Sequence, residues 1–182
     1  MKIGIAGTGG IGSNVAVHLV RSGVRWLKLV DFDCLEPSNL NRQFYFHDQL
    51  GRYKAELLAE NLARIAPDAQ LEPAVLRLNA ANIATVFKDC DAVVEGFDGR
   101  AEKKMLLEAL ASSGQMIVSA SGVAGIGLDH IQTRRMGSCT IIGDFTTDVS
   151  TEPVYAPKVA IVAALMAHEI LEKGGFYERN PK

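Results

Sequence analysis

The chain has few cysteines and no spacing that would join them. Cys34, Cys90 and Cys139 are three in number and none sits in a C-x-x-C pair, so a disulfide framework and a four-cysteine zinc site are both excluded. Long apolar runs are also missing. Each is broken by Gly, Lys, Arg or Asp well short of about 18 residues, and residues 1–6 read as a strand, not as a charged-then-apolar leader. Nor is charge of one sign in excess: 19 Lys and Arg against 21 Asp and Glu leave a formal charge of -2. That balance argues against holding nucleic acid chiefly by phosphate neutralisation. The absences together predict a soluble cytoplasmic protein with no membrane span and no nucleic-acid partner.

What is present is the composition of an ordinary globular domain, 48% hydrophobic and 22% charged. A chain of 182 residues can bury a sizeable core. With no internal repeat, no low-complexity tract and no dividing linker, one domain over 1–182 is expected.

Ile3 to Ala6 is an apolar run ending in Gly7, and a glycine-rich turn then feeds a helix over Ser13 to Ser22. Trp26 to Val30 is the second strand. Phe32 to Phe46 has no sustained period and reads as a long functional loop. Tyr53 to Ala66 carries Leu57, Leu58, Leu62 and Ile65 at helical spacing before Pro67 stops it. Leu71 to Leu76 and Ala92 to Val94 are further strands around a short helix that Asn79 could cap. A helix from near Gly99 to Ser113 and a strand over Met116 to Ala120 follow.

This alternation predicts an α/β protein, a Rossmann-like, doubly wound, mainly parallel sheet. The last third changes grammar: His130 to Arg135 and Thr140 to Ile142 flank Met136-Gly137-Ser138 as an antiparallel hairpin, and Ala156 to Lys173 forms a final helix closed by Gly174 and Gly175.

Gly7-Thr8-Gly9-Gly10-Ile11-Gly12 matches G-x-G-x-x-G between a strand and a helix, where backbone N–H groups and the helix dipole can receive a phosphate. Asp31 follows at the end of the second strand, about 20 residues on, where a carboxylate can accept ribose hydroxyls. An NAD(P)-dependent oxidoreductase explains these two features equally well. The next segment separates the readings.

Asp31-Phe32-Asp33-Cys34-Leu35-Glu36-Pro37-Ser38-Asn39-Leu40-Asn41-Arg42-Gln43 resembles the D-x-D-x-x-x-x-S-N-L-x-R-Q signature of the ubiquitin-activating-enzyme superfamily. The resemblance runs from about Lys2 to Glu172 and is closest to the short ThiF type. It implies ATP as cofactor, with Asp31 on the ribose, Arg42 on the triphosphate, and Asn39 and Gln43 lining the nucleotide site beside Asp33. Lys54 matches a second phosphate-binding cation, and Gly7, Gly9, Gly10 and Gly12 supply the phosphate turn. An Arg fork and a Lys point charge also suit a polyanion on physical grounds.

Val93-Val94-Glu95-Gly96-Phe97-Asp98 puts a carboxylate just beyond the fourth strand, where open parallel sheets bind ligands. The resemblance makes Asp98 the Mg2+ ligand and, with Arg42 and Lys54, the catalytic set. Read without it, Asp98 is a helix N-cap for the segment from Gly99. Many relatives continue as D-N-x-x-T-R, whereas Gly99 follows here, with Glu102 and Lys103 at the Thr and Arg positions. The contact made by that arginine is not carried over to Lys103.

Ser119 to Gly127 is a small-residue ledge, beside which the family admits a Gly-Gly tail. The implied reaction is adenylation of the C-terminal carboxylate of a ubiquitin-like sulfur carrier protein, by a homodimer, for thiamine thiazole synthesis. Larger relatives carry an N-terminal arginine, a crossover cysteine and zinc-binding C-x-x-C pairs that do not appear in this sequence. The missing arginine motivates a second alternative, a non-catalytic relative that holds nucleotide or carrier without turnover.

Overall fold

The computed structural model describes residues 1–179, a seven-stranded sheet of order β3-β2-β1-β4-β5-β7-β6. Its centre is β1 (Ile3–Ala6), buried at every residue and paired in parallel with β2 (Trp26–Asp31) and β4 (Ala92–Glu95). Strands covered on both faces read as continuous apolar runs, which is why IGIA and AVVE lack alternation. β3 (Gln70–Val75) closes one edge in parallel with β2, and as an edge strand it tolerates Pro73.

On the other side β5 (Met116–Ala120) pairs in parallel with β4 and with β7 (Cys139–Gly143). β6 (Gln132–Met136) adds an antiparallel pair with β7, turning at Gly137 with φ 58°. The expected doubly wound sheet with a C-terminal hairpin is therefore the observed fold.

Helices cover both faces. Ile3 and Ile5 join one core with α1 (Gly10–Arg21), α2 (Lys54–Ala63) and α5 (Ala156–Lys173), where Val15, Leu58, Val162 and Met166 are fully buried. Ala6, Val93 and Ile117 join a smaller core with α3 (Ile83–Val86) and α4 (Arg100–Leu110), centred on Phe87 and Leu106. A short α6 (Phe176–Arg179) ends the described residues. No helix among them is long and apolar enough to cross a membrane.

Several boundaries differ from the sequence reading by a few residues, and two of the differences have clear local reasons. α1 starts at Gly10, not Ser13, because the glycine turn itself forms the helix's first turn with Gly9 as N-cap. α3 is capped at Asn82; Asn79 instead accepts the N–H groups of Ala81 and Asn82 and holds the turn before it.

The topological switch lies between β1 and β4. Chain direction therefore brings Gly7 and Gly96 side by side at the carboxyl edge of the sheet, where such folds bind ligands.

Candidate functional site

The glycine turn is fixed by closeness as much as by conformation. A Cβ on Gly12 would lie 1.9 Å from the Gly7 carbonyl oxygen, and Gly7 has φ 85°, so neither position admits another residue without a backbone shift. The start of α1 is thereby held against β1 with its N–H groups facing the crevice.

Two cavities open there. The first, of about 360 Å3, is lined by Gly7, Gly9, Asp31, Asp33 and Lys54 and also by the apolar side chains Val30, Leu76, Leu78, Phe97 and Met105. Apolar side chains that can take a planar base, beside charged groups and a glycine turn, are the mixture that suits a nucleotide. Arg77 stands over the Phe32 ring at 4.7 Å on its rim. The second, of about 260 Å3, is lined by Gly10, Ile11, Arg42, Val123, Val149, Val154 and Val159. Asp98 lines both and forms part of the wall between them.

Asp31 sits on the end of β2 and its Oδ2 accepts the Thr8 N–H at 2.7 Å and the Thr8 hydroxyl at 3.1 Å, while Oδ1 accepts the Asp33 N–H at 2.9 Å. It thus ties the glycine turn to the signature loop and still has lone pairs facing the cavity. Lys54 is buried at the start of α2, its ammonium 3.2 Å from Asp33 Oδ2. That makes Lys54 part of the first cavity's wall, not the solvated helix face that a lysine near a helix start would otherwise be.

Arg42 lies apart from Lys54, in the second cavity, where its guanidinium donates to the Ser38 carbonyl at 3.0 Å and to Asn41 Oδ1 at 2.7 Å. The two cations therefore line different cavities, each of which also meets part of the glycine turn. Gly12, Asn39 and Gln43 line neither cavity. Asn39 accepts the Glu36 N–H at 3.1 Å and staples its own turn. Gln43 is buried behind Gly9, its Oε1 unpartnered among the described residues.

Asp98 is exposed and, among the described residues, makes no hydrogen bond or ion pair. The capping alternative does not hold: α4 is capped at Gly99, with no side-chain cap bond. Among the described residues no cluster of three His, Cys, Asp or Glu exists that would cage a metal by itself. One free carboxylate lining the same cavity as the glycine turn nevertheless suits Mg2+, which binds through one or two carboxylates plus substrate phosphates and water. Asp98 is the residue that would hold it.

Several supporting side chains gave no sequence signal. The Tyr45 hydroxyl donates to the Thr8 carbonyl at 2.7 Å, and burial pushes this phenol up, so it remains a donor at any working pH. Asn14 donates to the Gly10 and Arg42 carbonyls at 2.7 and 2.9 Å, and Ser13 accepts the Phe44 N–H at 3.1 Å. Together they clamp the signature loop to α1. Lys103, left without a role by its departure from the family pattern, makes an ion pair at 3.0 Å with the fully buried Glu95.

The sequence model of the ThiF family matches residues 1–177 of this chain. The chain belongs to the ThiF family. Among curated relatives, this ThiF-family chain is similar to the adenylyltransferase and sulfurtransferase UBA4 of Yarrowia lipolytica, 31% identical over 138 residues, covering 76% of this chain and 35% of the relative. It thus spans about a third of that relative's length. The Escherichia coli tRNA N6-threonylcarbamoyladenosine dehydratase TcdA, in complex with AMP, shares the fold at a TM-score of 0.87 and 19% identity, over 98% of this chain and 88% of that one. Escherichia coli MccB with AMPCPP and MccA shares it at a TM-score of 0.77 and 22% identity, over 97% and 56%.

The thiols stand away from the two cavities. Burial pushes Cys90 up to about 11, and burial with the nearby Glu95 carboxylate raises Cys139, while Cys34 is exposed. Iodoacetamide at pH 8 is expected to alkylate Cys34 at least about tenfold faster than Cys90, since only the thiolate reacts. Peptide mass spectrometry over time checks this; equal rates would show that the interior around Cys90 opens.

Proposed function

We propose that this chain adenylates the C-terminal carboxylate of a ubiquitin-like sulfur carrier protein ending in Gly-Gly, with ATP as cofactor and Mg2+ held at Asp98, and that it serves thiamine thiazole synthesis. One observation carries the reading: an unpaired carboxylate, Asp98, forms part of the wall between a cavity that suits a nucleotide and a second cavity that meets the small-residue ledge at Val123. Nucleotide in the first and acyl tail in the second would approach each other over the glycine turn. Support also comes from the relative named for adenylyl and sulfur transfer and from the nucleotide-bound relatives of the same fold. The thiazole assignment rests on the resemblance of Asp31 to Gln43 to the ThiF type, read from the sequence.

In this reading the carrier carboxylate attacks the α-phosphate in line. An O–P bond forms as the bond to the bridging oxygen breaks, and pyrophosphate leaves. No general base is required, because the carboxylate is already ionised near neutral pH. Lys54, Arg42 and the helix N-terminus orient and neutralise phosphate oxygens, so the chain contributes position and charge. Bound at Asp98, Mg2+ would supply further charge on the phosphates.

ATP–pyrophosphate exchange, with and without a small Gly-Gly-ended carrier, tests the proposal: exchange that depends on the carrier is expected. Nucleotide binding without exchange would favour the non-catalytic alternative. The oxidoreductase alternative predicts another outcome. The charge pattern at Lys54, Arg42 and Asp98 suits a metal-bound triphosphate, so calorimetry is expected to find Mg-ATP bound at least about tenfold tighter than NADH, a difference of about 1.4 kcal/mol. The reverse order would sink the adenylation reading.

A further inference from the structure

Asp31 is held in place by Thr8 and the Asp33 N–H, and Asp33 by Lys54. Asp98 has no such partner among the described residues. Its orientation must come from its backbone, so the question is what fixes that backbone. The answer lies three residues away, in Glu95 at the end of β4.

Glu95 is fully buried and lines neither cavity. Its Oε1 accepts the Phe97 N–H at 2.7 Å and the Lys103 ammonium at 3.1 Å; its Oε2 accepts the Ser119 hydroxyl at 2.6 Å and the same ammonium at 3.0 Å. One carboxylate therefore joins the turn leading to Asp98, the first turn of α4 and the strand end that runs into the ledge. From the other side, Gly96 is pressed against the glycine turn, for a Cβ on it would lie 2.7 Å from the Gly7 carbonyl oxygen. Held between Gly7 and Glu95, the Gly96–Phe97 segment has little freedom to shift, and Asp98 is the next residue.

A buried carboxylate needs its counter-charge, and Lys103 is the cation that supplies it. We propose that the Glu95–Lys103 pair is the positioning device for the magnesium carboxylate: through the Phe97 N–H it sets where Asp98 stands relative to the glycine turn, and through Ser119 it sets the neighbouring wall. This rests on the reading of Asp98 given above. Glu95 and Lys103 touch no substrate; they are positioning residues. Lys103 stands at the position of the family's arginine, and its pairing with Glu95 is a contact that the altered motif does not reveal.

Electrostatics and geometry make opposite predictions here, which gives the test its power. Deleting the Lys103 charge near a cation site should by Coulomb's law strengthen metal binding. Loss of positioning should weaken it. Mn2+ titration followed by electron paramagnetic resonance, with a nonhydrolysable ATP analogue bound, reads metal affinity without turnover. Lys103→Met is expected to weaken Mn2+ binding by about tenfold, the scale of outer-shell effects on metal affinity, while analogue affinity without metal changes less than about twofold.

Lys103→Arg is expected to recover Mn2+ binding to within about threefold of wild type, because a guanidinium can again pair with Glu95. A folded Lys103→Met protein with wild-type or tighter Mn2+ binding would overturn the proposal. Should that variant fail to fold, Glu95→Gln keeps the side chain's shape and is expected to show the same weakening; wild-type affinity there overturns it equally. Asp98→Ala run in parallel separates the two levels. If it too binds Mn2+ normally, the metal assignment falls and this proposal with it. If Asp98→Ala loses the metal while Lys103→Met keeps it, only the positioning role falls.

Discussion

Replacing Asp98 with alanine is expected to lower ATP–pyrophosphate exchange by at least about a hundredfold, with a melting temperature close to wild type. The side chain is exposed, caps no helix and makes no bond among the described residues. Removing it should therefore cost little stability, since surface changes away from special features usually stay within about 0.5 kcal/mol. Its whole effect should appear in the charged transition state, where a carboxylate-held cation matters most. Asp31→Ala should behave differently. The proposed ribose contact does not change charge during reaction, so the ATP KM is expected to rise more than kcat falls. The bonds to Thr8 and Asp33 add a stability loss that Asp98 lacks. Near-normal exchange by Asp98→Ala with an unchanged magnesium requirement would remove this carboxylate from the chemistry.

The contrast between these two aspartates shows where sequence is informative. Their identity is legible because each follows a buried apolar strand, and a strand end at a switch point is a fixed place in the fold. α5 is legible at both ends: Pro157 lies in its first turn, where a missing N–H costs nothing, and Gly174 closes it. The loop over Phe32 to Phe46 is different. It has no period, so nothing in its spacing says that Arg42 turns toward one cavity while Lys54 lines the other. Family resemblance names both residues but not their placement in different cavities.

Glu95 was unreadable for a related reason. A carboxylate closing a short strand looks like a solvated strand end, and only the return of α4 and β5 buries it beneath Lys103 and Ser119. Tyr45 and Asn14 are likewise invisible until loop and helix meet. Polar residues whose partners are distant in sequence carry no local signature, because local patterns report periodicity and caps, not tertiary pairing.

Lys158→Met is expected to destabilise the protein by about 3–5 kcal/mol, the scale of breaking a buried ion pair from one side. At about 2–4 °C per kcal/mol for a domain of this size, the melting temperature should fall by about 6–20 °C. Lys158 is only 1% exposed, on a helix face that its neighbours Val159 and Val162 make apolar. Its ammonium donates to Asp144 at 2.5 Å and to the Ala124 carbonyl. The methionine variant fills the space but leaves Asp144 buried with only the N–H groups of Thr146 and Thr147 and the Thr147 hydroxyl.

Burial alone would raise the Asp144 carboxyl, but Lys158 and these donors hold it well below the ordinary carboxylate range. The pair therefore contributes stability above the unfolded carboxyl value of about 3.9, and that contribution is lost as pH falls through the depressed folded value. Without the ammonium, burial prevails and protonation becomes easier. The deficit of Lys158→Met should thus be largest near neutral pH and shrink below about pH 4. The double variant Lys158→Met/Asp144→Asn removes the stranded charge, and it is expected to melt above the single one. A single variant within about 2 °C of wild type, or a double variant no better than the single, would mean that the threonine donors suffice for Asp144. Otherwise the pair is what anchors the ledge at Ala124 and the loop that leaves β7 at Asp144, two segments that border the second cavity at Val123 and Val149.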